Sequence, residues 1–141
     1  MKTSYCLGFA FDHQGNVALI QKLRPAWQAG KLNGIGGHIE EGETATEAMV
    51  REFREETGRE TVLEIWDLFG TLHTDTSTVF CFRSFDISLE GLKTMTDEKV
   101  FVESTNFIGR ERLPNLSWLI PLAMDREVAR TTTVYKGGER E

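Results

Sequence analysis

The sequence predicts an α+β domain in which a mixed β-sheet is layered against helices. Three observations point there. Runs rich in β-branched and aromatic residues recur on both sides of the middle of the chain, as strands require. Between them lies a segment, 44–58, with a start signal, a run of strong helix formers and a stop signal. A second apolar segment, within 115–129, reads as another helix. The chain has 141 residues, of which 40% are hydrophobic, which suits one domain over 1–141 with a core of its own.

Residues 3–11, TSYCLGFAF, read as a buried strand. The polar run 12–16 has turn chemistry, and VALIQKL (17–23) reads as a second strand, so the two form a hairpin. Residues 24–37 hold Pro25, Gly30, Gly34, Gly36 and Gly37, a loop in which backbone approaches something closely. Thr44 and Glu47 fit a capping box, Ala45 to Thr57 favours helix, and Ala48, Met49 and Phe53 recur at helical spacing. Gly58 stands where a helix ends in the left-handed conformation. Residues 62–74 and 77–89 read as a long antiparallel pair, with Gly70 marking a bulge. A polar loop over 90–99 leads to a short strand within 100–108. Pro121 makes the second helix either start late or bend. The tail, TTTVYKGGERE, is expected to be loose at its end.

Charge is distributed unevenly. Residues 40–60 hold eight Glu against three Arg, a net of −5 out of −6 for the whole chain. That balance disfavours duplex nucleic acid as a partner but admits a small anion that arrives with a cation. No apolar run approaches membrane-spanning length, so no membrane partner is expected. Cys6 and Cys81 lie in apolar runs without metal or disulfide spacing and read as reduced core residues of a cytoplasmic protein.

The acidic segment carries the chemistry. Glu52, Glu55 and Glu56 stand at i, i+3 and i+4, which places three carboxylates on one helical face. Like charges at that spacing repel unless neutralised. Arg51, four residues before Glu55, relieves part of the repulsion, and a hard divalent cation relieves more. A bare cluster of this kind is also compatible with a solvated acidic face.

The wider spacing decides between these. From Gly37 the chain runs five residues to Glu43, seven more to Arg51, then Glu52-Phe53-Arg54-Glu55-Glu56-Thr57-Gly58. This resembles the Nudix box, G-x5-E-x7-R-E-U-x-E-E-x-G-U with U a bulky apolar residue. Only the last position departs: Arg59 stands where an apolar residue is usual. The resemblance implies a Nudix fold, a mixed sheet sandwiched between helices (α/β/α). It implies Glu52, Glu55, Glu56 and the carbonyl of Gly36 as ligands of Mg²⁺, with Mn²⁺ as a substitute. It implies Arg51 and Glu43 as a supporting pair that orients the carboxylates. The substrate implied is a nucleoside diphosphate linked to another group.

The water-activating base is sought among Glu55, Glu56 and Glu98, the last in a loop after the central strands, where a solvated role is the alternative. His38, inside the box, reads as a surface residue. GKLNGIGGHIEEGE resembles the lead-in of Nudix enzymes that hydrolyse oxidised purine nucleoside triphosphates, and Asn33 matches their base-reading Asn. LPNLSWLIPLAMD (113–125) resembles the segment before their last helix, although Asn115 and Leu116 stand where paired acidic base-readers are usual. Trp27 and Trp118 offer stacking faces, with core packing beside Leu116, Leu119 and Ile120 as the competing role for Trp118. Lys22 and Arg24 lie near the site, to contact phosphate or simply to end a strand. The expectation is a Mg²⁺-dependent nucleoside triphosphate pyrophosphatase of the MutT type, as a monomer or homodimer. Hydrolysis of another nucleoside diphosphate derivative, and nucleotide binding without turnover, are the alternatives.

Overall fold

The computed structural model describes residues 2–137. Their elements are β1 (Thr3–Phe11), β2 (Asn16–Gln21), β3 (Leu32–Asn33), β4 (Ile35–His38), α1 (Ala45–Thr57), β5 (Asp67–His73), β6 (Ser77–Ser84), β7 (Val100–Ser104), α2 (Leu116–Met124) and β8 (Thr131–Val134). All the strands join one mixed sheet, in the order β3-β2-β1-β6-β5-β8, with β4 added to β1 and β7 to β2.

β1 is the axis of the sheet. All but its last residue runs parallel to β6, from Thr3 opposite Ser77 to Ala10 opposite Ser84. Two strands share its remaining pairings. β2 takes Ala10 and Phe11, and β4 takes Tyr5 to Gly8. The sheet therefore forks beside β1, and β4 occupies the fork directly beneath α1. Alternation along the strands feeds two cores. Cys6, Ala10, Ala18, Ile20, Ile35 and Phe82 pack with Ala48, Met49 and Phe53 of α1. Leu7, Phe9, Phe11, Val17, Leu19 and Cys81 pack with Leu116, Leu119, Ile120 and Ala123 of α2. The result is the α/β/α layering that the resemblance implies. Cys6 and Cys81 lie in different cores, both free, and burial pushes each thiol up to about 12.

Several expectations need correction. Residues 24–37 are not all loop: they contain β3, β4 and a 3-10 turn at Ala26–Gln28. The close approach foreseen there is made to β1, because a Cβ on Gly36 would overlap the Cys6 carbonyl. The second strand ends at Gln21, leaving Lys22 and Leu23 beyond the ladder. The later pair is shorter than expected: Leu63–Ile65 form a 3-10 turn, and β6 stops at Ser84, so Ile87 and Leu89 enter the α1 core from a loop. The bulge at Gly70 is present, between Leu68 and Gly70.

α2 begins at Leu116 and runs through Pro121, a choice set by its buried apolar face rather than by propensity. At its last turn and just beyond, Arg83 donates to the carbonyls of Ala123, Asp125 and Val128, as a cation near a helix C-terminus does. The tail is ordered at its start, since Thr131–Val134 form β8 parallel to β5. The looseness expected at its end falls on 138–141, outside the described residues. Among the described residues no helix is long and apolar enough to cross a membrane.

Candidate active site

α1 starts on a capping box in which Thr44 Oγ1 accepts from the Glu47 amide at 3.1 Å and Glu47 Oε1 accepts from the Thr44 amide at 2.8 Å. It stops at Gly58, whose φ of 79° suits glycine. With both ends defined and Ala48, Met49 and Phe53 committed to the core, the phase of the helix is set. Glu52 turns toward Gly37 of β4, Glu56 is buried, and Glu55 stays half exposed.

Arg51 is the hub. Its guanidinium forks onto Glu43, with Nη2 to Oε1 at 2.6 Å and Nε to Oε2 at 3.0 Å. Nη2 also donates to the His38 carbonyl at 2.9 Å, and Nη1 reaches Glu52 at 3.0 Å and Glu55 at 3.2 Å. One side chain thus ties the end of β4, the loop before α1 and two carboxylates of α1. Arg51 holds the Glu43 carboxyl below its ordinary range, and Glu43 in return raises the guanidinium's own pKa.

Glu56 is the anomaly. It is only 6% exposed, and its Oε2 is buried without a hydrogen-bond partner. Burial, then the adjacent Glu52 carboxylate, push its pKa up to about 9. Above Glu52 lies Gly37, where a Cβ would come within 2.6 Å of Glu52 Oε2. Two apposed carboxylates, an orphaned oxygen and a backbone stripped of side chain fit a hard cation bound by oxygen. Among the described residues no three His, Cys, Asp or Glu side chains converge as a preformed cluster. Arg51 Nη1 holds Glu52 and Glu55 instead. Gly36, the other candidate ligand, pairs with Leu7 in the β1–β4 ladder.

Glu98 is not a solvated loop residue, as one expectation had it. It is 7% exposed, with Oε2 accepting from the Leu23 amide at 2.7 Å and Oε1 from Lys22 Nζ at 3.1 Å. Lys22 lowers the Glu56 pKa and Glu98 raises it, and the Met95 amide, three residues before Glu98, donates to the Glu56 carbonyl at 3.2 Å. Lys22 had no motif to mark it; its partner is 76 residues away in sequence. Arg24 is exposed and bonds Asp97 at 2.8 Å.

The residues expected at the far end of the substrate lie around β3 and the start of α2. The chain before α2 is stitched to β3 by the Leu32 amide to Glu111 carbonyl and the Leu113 amide to Leu32 carbonyl. That places Asn33 close to the segment carrying Asn115. Asn33 Oδ1 accepts from the Gly34 amide at 2.8 Å. Asn115 Nδ2 donates to the Tyr135 hydroxyl at 3.3 Å, while its Oδ1 is buried without a partner. Tyr135 was missed; the β-prone TTTVY run was its only signal. Trp27 packs against the α2 core. Trp118 is 38% exposed, which overturns core packing as its role.

Comparison with known proteins bears on the family and the fold. The family model described as the NUDIX domain matches residues 3–117. No curated protein sequence matches the chain. Among solved structures, a MutT protein from Bacillus halodurans superposes with a TM-score of 0.71 at 22% identity, covering 95% of this chain and 90% of that one. The NUDIX domain of Shewanella oneidensis NrtR, complexed with ADP ribose, gives 0.75 at 16% identity, with 90% and 89% covered. A MutT/nudix family protein from Enterococcus faecalis gives 0.66 at 18% identity, over 74% of this chain but only 44% of its own. At these identities the structures speak for the fold, whereas the family model spans most of the sequence and includes the whole acidic box: the chain belongs to the Nudix family, whose hydrolases use a divalent metal ion.

Proposed function

We propose that the protein is a Mg²⁺-dependent nucleoside triphosphate pyrophosphatase, releasing nucleoside monophosphate and pyrophosphate. The observation that carries the reading is the buried Glu56, with an orphaned oxygen, beside Glu52, which lies beneath Gly37. Glu52, Glu55, Glu56 and the Gly36 carbonyl would hold the metal, for which Mn²⁺ would substitute. When bound, the ion supplies neutralisation of phosphate charge and a more acidic water. The rest belongs to the chain. Arg51 keeps Glu43, Glu52 and Glu55 in place, and Glu98, held by Lys22 and the Leu23 amide, would serve as proton acceptor. Asn33 and Asn115 offer amides to a base edge, Trp27 and Trp118 offer ring faces, and Arg24 offers charge to phosphate. Removal of damaged or surplus nucleotides from the cytoplasm suits this chemistry.

A second reading is hydrolysis of another nucleoside diphosphate derivative. Asn115 and Leu116, in place of paired acidic residues, favour it over strict oxidised-purine specificity. Product analysis separates the two: normal and oxidised triphosphates, dinucleoside polyphosphates and nucleotide sugars are each incubated with and without Mg²⁺. Monophosphate plus pyrophosphate from a triphosphate is expected, and the Glu55→Gln variant should lose it. Unchanged turnover in that variant would refute the site assignment, and tight nucleotide binding without turnover would leave a binding module.

A further inference from the structure

The one departure from the Nudix box, Arg59, has a definite task in the fold. Its guanidinium does not pack as the usual apolar residue would. Nη1 donates to the Ser88 carbonyl at 2.6 Å and Nη2 to the Glu90 carbonyl at 2.8 Å. A few residues on, the Lys93 amide donates to the Thr57 carbonyl at 3.0 Å and the Met95 amide to the Glu56 carbonyl at 3.2 Å. The segment 88–95 is therefore sewn to the end of α1 from both sides. Three residues beyond Met95 stands Glu98, its amide bonded to Thr96 Oγ1 at 3.1 Å and its carboxylate buried against Lys22 and Leu23.

We propose that Arg59 is a positioning residue for the active site: it clamps the 88–95 segment to the C-terminal end of α1 and so holds Glu98 beside Glu56. The proposal rests on the reading of Glu98 and Glu56 as parts of one hydrolytic site. The residue type fits the task. A planar guanidinium spans two carbonyls at once, a lysine ammonium is a single point donor, and leucine offers no donor. The fold has other anchors for this loop, since Ile87 and Leu89 are buried in the α1 core. Loss of the clamp should thus loosen residues 90–98 without unfolding the sheet.

The test compares the wild type with Arg59→Lys, Arg59→Leu and Arg59→Ala. Hydrogen exchange is followed at the amides of Lys93, Met95, Glu98 and Leu23, with Phe53 in the middle of α1 as the internal control. The Leu23 amide is the critical probe: it lies just beyond the end of β2, outside the clamped segment, and donates to the Glu98 carboxylate. Arg59→Leu and Arg59→Ala should exchange about tenfold faster at all four amides, equivalent to about 1.4 kcal/mol, with Phe53 unchanged. For the best triphosphate substrate their kcat should fall about tenfold with KM nearly constant, the pattern expected when substrate binding survives and Glu98 is displaced. Arg59→Lys should fall between, and it remains informative if the larger changes impair folding. Wild-type exchange at Leu23 and Glu98 in Arg59→Leu would overturn the clamp, as would a raised KM at constant kcat. If the wild type hydrolyses nothing in the panel, the reading of the site fails, and the exchange result still decides whether Arg59 holds the segment.

Discussion

Glu56→Gln tests the physical basis of the site without a substrate. The folded protein keeps the Glu56 proton up to about pH 9, against an ordinary value of 4.5, because the carboxylate would be buried beside Glu52. Below pH 4.5 both folded and unfolded chains carry that proton, and the residue makes no pH-dependent contribution. Above it the unfolded chain releases the proton while the folded chain retains it. Fewer protons on the unfolded state mean that stability falls as pH rises, by about 1.4 kcal/mol per unit. At pH 7 the accumulated cost is about 3 kcal/mol, and it does not depend on the upper value so long as that stays above 7. Glutamine keeps the shape and removes the titration, so the metal-free variant should be more stable than the wild type at pH 7, by up to about 3 kcal/mol. The gap should close on acidification toward about pH 4.5. Urea unfolding in chelator, in steps of half a pH unit, measures it. A difference between the two proteins that does not change with pH would refute the burial reasoning.

Other perturbations separate the scaffold from the site. Arg51→Lys loses the fork onto Glu43 and the bonds to the His38 carbonyl, Glu52 and Glu55. A loss of about 2 kcal/mol is expected in urea unfolding, together with weaker Mg²⁺ binding by calorimetry. Gly36→Ala drives a methyl into the Cys6 carbonyl and should lower stability by about 3 kcal/mol or more, whereas Gly37→Ala meets the movable Glu52 carboxylate. Thermal melts should therefore separate the two variants, and Gly37→Ala should weaken Mg²⁺ affinity by about tenfold with little change in melting. Glu43 has its pKa depressed by Arg51, so its stabilising contribution is present above the unfolded pKa and lost as pH falls through the folded one. Glu43→Gln should accordingly flatten the acid limb of the stability curve, measured below about pH 5.

Local signals in the chain were strong where local physics decides the outcome. Thr44, Glu47 and Gly58 define the helix through bonds to their own neighbours, so its limits were legible as 45–57. The spacing of Glu52, Glu55 and Glu56 assigns them to one acidic face for the same reason. Pro121 left a late start or a bend open; α2 starts at Leu116 and continues through Pro121, held by burial of Leu116, Leu119, Ile120 and Ala123. β8 escaped because a short, half-polar strand at the sheet edge owes its place to β5.

The sequence by itself determined the layered architecture, the acidic helix and the family, since periodicity, capping and motif spacing are properties of near neighbours. The tertiary structure alone decided what each carboxylate experiences. Glu52 and Glu55 lie on Arg51, Glu56 is buried with an oxygen unpaired, and Glu98 is locked between Lys22 and the Leu23 amide. Four glutamates of the same chemistry acquire different roles because burial and the approach of residues distant in sequence set their desolvation and their charge partners, and neither quantity is written in the local pattern.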